Sequence, residues 1–307
     1  MSRQRADLTL VLIAMIWGLT FPLVHGVTQS YPPLSLIALR FCLALLGMAP
    51  LVLRAQSPRP LGRRGWLVAL ALGGSLYAGF ITQTLGLQQT TAARGGFITG
   101  LNVVIVPFLA LLILRQRPPM RALIGLAFAL SGMIVLALDA EGGLSLGGLN
   151  RGDLLVLACA FAFALHIVLV SWLPGDLPAI QLNAAQLAVV ALLASVTALA
   201  VDGLALPSLA VWGAAAFLGL VATALVFALQ LAVQRHTTPT HTALIFALEP
   251  VFAAVFAVIL GGEVLRLVTI AGGGLMLLGV LIAEAPPGRR VRQAAGARKR
   301  RLGRQDA

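Results

Sequence analysis

Ten residues combine a polar or aromatic side chain with a place inside an otherwise apolar run: Trp17, Thr20, Tyr77, Gln83, Asn102, Phe163, His166, Gln230, Phe246 and Glu249. Lipid offers such groups no partner, so they face protein or a water-filled space. Glu249 could take a proton, receive an ammonium group, or hold helix backbone disturbed by Pro250. His166 is equally a proton acceptor, a hydrogen-bond partner for a bound molecule, and a plain interhelical hydrogen bond. Trp17, Thr20 and Phe21 share one helical face, as do Thr223, Phe227 and Gln230 at i, i+4 and i+7, and Tyr77 joins Phe80 and Thr84 on another. Aromatic rings with an amide or hydroxyl nearby suit small zwitterions. The ten residues are therefore expected to line one central cavity.

Arg40 is read differently. It could attract a carboxylate, but a long cationic side chain two turns into a span can also extend to the interface, and the structural anchor is the favoured reading. His25, His236 and His241 fall near the ends of apolar runs and are read as interfacial.

Other chemistry is excluded by what is missing. No glycine loop ends in Lys-Ser or Lys-Thr, so no nucleotide is hydrolysed, and no Cys/His/Asp cluster suggests a metal. Cys42 and Cys159 both lie inside apolar runs and give no disulfide framework. No clustered nucleophile and base argue for an enzyme, and no soluble output segment argues for a receptor. No cofactor is implied.

The elements that must position these residues are legible from composition. Hydrophobic residues make up 59% of 307 positions and charged residues 10%, with a mean hydropathy of +0.97. Crossing about 30 Å of hydrocarbon takes about 20 apolar residues of helix. Ten such runs are expected: Leu8–Thr28, Leu34–Leu53, Trp66–Leu87, Gly95–Leu114, Ala122–Leu138, Leu154–Leu173, Ile180–Val201, Leu209–Val233, Thr242–Leu260 and Leu267–Glu284. They are apolar on all sides, which excludes barrel strands. The fold class is an all-α integral membrane protein of ten transmembrane helices, arranged as two inverted five-helix repeats.

The repeat shows as an offset of 147 residues that pairs Thr90 with Thr237, Thr91 with Thr238, Ile98 with Ile245, Leu101 with Leu248, Gly125 with Gly272 and Gly132 with Gly279. Gln83 pairs with Gln230 and Asn102 with Glu249 at the same offset, and Asp7 with Asp153 at 146. At 146, Trp17 pairs with Phe163, Thr20 with His166 and Arg40 with Gln186. Five spans is an odd number, so the second copy enters the membrane inverted. The expected units are 1–145, 146–287 and a basic tail at 288–307. Pro107 and Pro250 are expected to weaken spans four and nine. Gly125, Gly132, Gly272, Gly273, Gly274 and Gly279 permit close helix approach, within the chain by preference, with a homodimer contact as the alternative.

Of 22 Lys and Arg residues, 18 fall on the side that holds the N-terminus, including eight in the tail. That asymmetry predicts both termini in the cytoplasm. The tail lacks aromatics to stack bases, so anionic lipid rather than nucleic acid is its expected contact.

The chain resembles the drug/metabolite transporter superfamily, in particular its ten-helix EamA-type exporters. The resemblance rests on Trp17-Gly18 with Phe21-Pro22, on Leu39-Arg40-Phe41, on the run Leu229 to Glu263, and on the Gly272 and Gly279 spacing. Gly262-Glu263 at the end of span nine reads Arg115-Gln116 in the first half, so any role of that acid is available once. The resemblance implies a secondary transporter of the bacterial inner membrane that exports small metabolites, amino acids among them, by alternating access, with spans one, three, four, six, eight and nine lining the path. The amino-acid exporters described as YddG-like are the expected subgroup. A multidrug or nucleotide-sugar carrier is the alternative, disfavoured because an anionic nucleotide wants more than one cation in the cavity. An integral membrane enzyme is a remote third reading. Protons are a candidate coupling ion.

Overall fold

The computed structural model describes residues 3–54, 61–115, 120–137, 149–171, 177–203, 205–234, 245–246 and 248–284. The Thr237–Thr238 pair, His236, His241, Gln116, the connector at 138–148 and the basic tail lie outside them. Every regular element among the described residues is helical. Seven helices are long and apolar enough to cross a membrane, and three shorter apolar ones, Leu123–Gly132, Glu249–Ile259 and Leu267–Gly279, complete ten.

Spans one to three are single helices, Arg3–Thr28, Pro33–Arg54 and Gly62–Leu87. Span four is two pieces, Ala92–Gly100 and Asn102–Leu114, and span five is Met120–Ala137. Spans six and seven are Arg151–Ser171 and Ala179–Val201. Span eight runs Leu209–Ala216, then a π-helix Phe217–Leu225, then Val226–Gln234. Spans nine and ten are described over Glu249–Ile259 and Leu267–Glu284. Successive spans alternate in direction, so Thr28, Leu87, Ala92, Arg151 and Ile259 all reach the face opposite the N-terminus, called here the far face.

The inversion is visible in the packing. Gly219 lies so near span two that a Cβ there would sit 2.5 Å from Arg40 O and 2.8 Å from Leu43 Cβ. Gly73 meets Gln186 O at 2.8 Å and Val189 Cβ at 2.6 Å in the same sense. Each of these residues is its counterpart shifted by 146 positions. Spans five and ten pack crosswise on the glycines at offset 147: a Cβ on Gly132 would run into Gly272 O, and one on Gly279 would lie 2.5 Å from Gly125 O. Small residues here let two backbones touch in the absence of a hydrophobic driving force.

Apolar packing differs between the two faces. Toward the far face, one cluster joins spans one, three, four, six and nine through Phe21, Leu87, Ile98, Val156 and Ala253. Toward the N-terminal face, Leu10, Ile13 and Val233 gather spans one and eight with Phe246, while Ala69, Leu72, Leu182 and Ala185 gather spans three and seven separately.

Candidate functional site

The proline expectation needs correction. The helix passes unbroken through Pro107, within Asn102–Leu114, and span four is interrupted at Leu101 instead. Leu101 N donates to Ile98 O at 3.1 Å, a tight three-residue turn. Its counterpart does the same, Leu248 N donating to Ile245 O at 3.0 Å. Asn102 and Glu249, one the mate of the other, each open the helix that follows. Pro250 stands in the first turn of that helix, where its missing N–H leaves nothing unpaired. The two interruptions touch, because a Cβ on Gly100 would lie 2.6 Å from Pro250 Cγ, and one on Gly96 2.5 Å from Ala253 Cβ.

Around this junction the structure gathers part of the expected set. Gln83 Nε2 donates to Thr99 Oγ1 at 3.5 Å, and the buried Cys159 thiol lies beside Thr99 and within electrostatic range of Glu249. Trp17 meets Phe246 and Phe227 edge to face, with centroids 5.1 and 5.9 Å apart, and its Nε1–H donates to Ala222 O at 3.1 Å. That acceptor lies in the π-helix. Phe80 and Phe163 make a second aromatic pair at 5.2 Å. Gln230 Oε1 is buried without a hydrogen-bond partner.

Three residues are engaged elsewhere. Thr20 Oγ1 donates to Trp17 O in its own helix at 2.7 Å. Tyr77 turns to span seven and donates to Thr197 Oγ1 at 2.9 Å. His166 Nε2 lies 3.1 Å from Gln186 Oε1, and Gln186 Nε2 donates to Asn183 Oδ1 at 2.6 Å, the interhelical arrangement that the sequence left as an equal alternative.

Arg40 departs from the expected interfacial anchor. It is 4% exposed, donates from Nε to Thr223 Oγ1 at 2.9 Å, and stacks its guanidinium 4.4 Å from the Phe80 centroid. Its head is turned to span eight and to Phe80 instead. Thr223 Oγ1 in turn donates to Leu218 O five residues back, a bond only the wide turn of the π-helix brings into reach.

Sequence reasoning missed the polar layer that closes the far face. Arg94 and Asp153 form a buried ion pair at 2.5 Å, and Thr90 Oγ1 also donates to Asp153. Asp153 and Asn150 cap each other across the start of span six, Asn150 N at 3.2 Å from the carboxylate and Asp153 N at 2.8 Å from Asn150 Oδ1. Glu263 accepts from Ala92 N at 2.6 Å and Ala93 N at 3.3 Å. Gln88 Nε2 donates to Thr28 O at 3.1 Å, and His25 Nδ1, 2.6 Å from Leu87 O, carries its proton on that nitrogen because a carbonyl only accepts. Above the layer opens a cavity of about 620 Å³ lined in part by His25, Gln89, Arg94, Glu263, Arg266 and Thr269. The sequence signals that could have pointed here were the matching of Asp7 with Asp153 and of Thr90 with Thr237, and the unpaired acid of Gly262-Glu263.

An all-helical membrane chain with inverted repeats, equivalent helix interruptions meeting at its centre and an ionic seal on one face is a membrane transporter by class rather than an enzyme. The EamA-like transporter family matches residues 4–138 and again 150–284, and the chain belongs to that family, within the drug/metabolite transporter superfamily. An uncharacterized transporter of Archaeoglobus fulgidus is 30% identical, over 92% of this chain and 87% of its own. The uncharacterized transporter YyaM of Bacillus subtilis is 26% identical, over 87% of this chain and 89% of its own. The uncharacterized inner membrane transporter YedA of Escherichia coli is 27% identical, over 87% of each chain. One solved crystal structure shares the fold, with a TM-score of 0.66 at 22% identity, over 92% of this chain and 97% of the other.

Proposed function

We propose that the protein exports amino acids and related small metabolites across the bacterial inner membrane by alternating access, through a midplane cavity between units 1–145 and 146–287. The observation that carries this reading is the contact between two equivalent helix interruptions, Leu101 in span four and Leu248 in span nine. Interrupted helices that meet near the midplane are where such folds place their cargo, and a three-residue turn is a point at which each half can swing. Trp17, Gln83, Asn102, Phe163, Gln230, Phe246 and Glu249 contact the cargo, while Thr20, Tyr77 and His166 hold the walls. The basic residues Arg54, Arg63, Arg64 and those of the tail support a cytoplasmic N-terminal face. The far face, sealed by Asp153 and Glu263, is then the outer one. Glu249 is the group on which protons couple to transport.

The test is uptake of labelled amino acids into proteoliposomes containing only this protein, with and without a proton gradient. Saturable uptake lost in Trp17→Ala, with accumulation that needs the gradient and Glu249, is the expected result. No uptake of any amino acid by folded protein overturns the reading.

A further inference from the structure

Arg40 has more charge than its structural role requires. Its mate Gln186 occupies the same place against the same close approach, Gly73 standing to Gln186 as Gly219 stands to Arg40. A glutamine suffices there, with both ends of its amide engaged, by Asn183 and His166. At Arg40 the cation sits about 10 Å inside its helix, seven residues from Pro33 at 1.5 Å each. Its partners are a hydroxyl and the Phe80 and Phe41 rings, none of them an anion.

The geometry also says which edge is free. Nε is committed to Thr223, and the flat face lies on Phe80. That leaves the fork of the two Nη nitrogens, which matches a carboxylate in two parallel hydrogen bonds. Neither Nη meets a hydrogen-bond acceptor among the described residues, in a residue only 4% exposed. Thr223 is pre-set to hold Nε, since its own proton goes to Leu218 O. Phe227, one turn on from Thr223, continues to Trp17 and Phe246, and Phe80 continues to Phe163. The cation therefore stacks on one end of the Phe80–Phe163 pair, with the Trp17 rings reached through Thr223 and Phe227.

We propose that Arg40 receives the carboxylate of the transported molecule through its Nη fork, so that the cargo is a small organic carboxylate with an apolar or aromatic body, and the esters and amides of such acids are rejected. This rests on the transport reading for its physiological meaning. It is testable without transport.

The experiment uses the full chain purified in detergent, with benzoate as a bare carboxylate and benzamide as its neutral counterpart. The melting temperature of the wild type is expected to rise with benzoate and not with benzamide. Arg40→Gln, which copies the arrangement at Gln186, is expected to fold and to lose the benzoate response, while Arg40→Lys keeps a weakened one. Thr223→Val is expected to retain the response at higher benzoate concentration. Benzoate stabilising Arg40→Gln as well as the wild type, or stabilising neither, overturns the proposal. In proteoliposomes, amino acids should show saturable entry above that into empty liposomes and their methyl esters should show none above it, with Arg40→Gln reducing the saturable uptake about tenfold or more. Equal uptake of acid and ester overturns the role of Arg40 and leaves transport standing. A benzoate response that depends on Arg40, in protein that moves no amino acid, keeps the carboxylate site and removes the amino-acid reading.

Discussion

The Glu263 carboxylate accepts the Ala92 N–H at 2.6 Å across 171 residues of chain, so that the end of span nine caps the start of span four. The first N–H groups of a helix have no partner within it, and a carboxylate there is favoured by the helix dipole as well as by the bond. Glu263→Ala is expected to cost about 1–2 kcal/mol of stability. It should also loosen the far face, making the buried Cys159 react several-fold faster with a water-soluble maleimide in a Cys42→Ser background. An unchanged modification rate would show that this cap does not help seal the face.

Asp153 carries a heavier load than Asp202. The first is 1% exposed and holds Arg94, Thr90 and the Asn150 N–H, whereas Asp202 accepts two bonds from Ser35 at 2.8 Å in a more open setting. Asp153→Asn removes the carboxylate that faces the buried Arg94 guanidinium and is expected to cost about 3–5 kcal/mol. Asp202→Asn is expected to cost about 1 kcal/mol. Denaturant unfolding in detergent checks the order, and the reverse order would contradict the burial.

Gly132→Leu and Gly279→Leu are expected to destabilise by about 1–3 kcal/mol each, because a side chain at either would run into backbone of the facing helix, Gly272 O and Met276 N for the first and Gly125 O and Ala129 N for the second. Gly274→Leu is the control, since nothing lies within 4 Å of a Cβ there. Melting temperatures of the three variants separate glycines that pack span five on span ten from one that faces outward.

Tyr31, in the turn between spans one and two, donates to Ala205 O at 3.1 Å. Burial first, and then the Asp202 carboxylate, raise its ionisation above the ordinary 10.0. A raised value means the folded state prefers the protonated phenol. Its contribution is full below the unfolded value and is lost as pH climbs through the folded one. In a Tyr77→Phe background, phenolate absorbance should therefore appear later than pH 10, together with loss of stability. Adding Tyr31→Phe should remove that alkaline step.

Much of the fold was legible in the sequence, because the physics behind it is one-dimensional. A run of apolar residues long enough to cross the bilayer must be helix, whatever surrounds it. The offset that pairs Gly132 with Gly279 and Gln83 with Gln230 could be counted without coordinates. The odd number of spans per copy then required inversion. The site was legible only as a collection of polar residues. Trp17 and Phe246 meet each other and Gln83 meets Thr99 in the interior, but Tyr77 and His166 satisfy their polar atoms on span seven, where no sequence spacing could have sent them.

What the sequence determined by itself was the class of protein, the count and inversion of its spans, and the pairing of residues between copies, since hydropathy and spacing are properties of the chain alone. Tertiary structure decided where the helices break and which charges are paired. Span four is interrupted at Leu101 rather than Pro107, beside Gly100, which lies against Pro250 of span nine, a contact between residues far apart in the chain. Arg40 keeps its fork free, and Arg94 does not, because one meets a threonine on a π-helix and the other an aspartate. A side chain's rotation about its helix decides such pairings, and only the packed neighbours select that rotation.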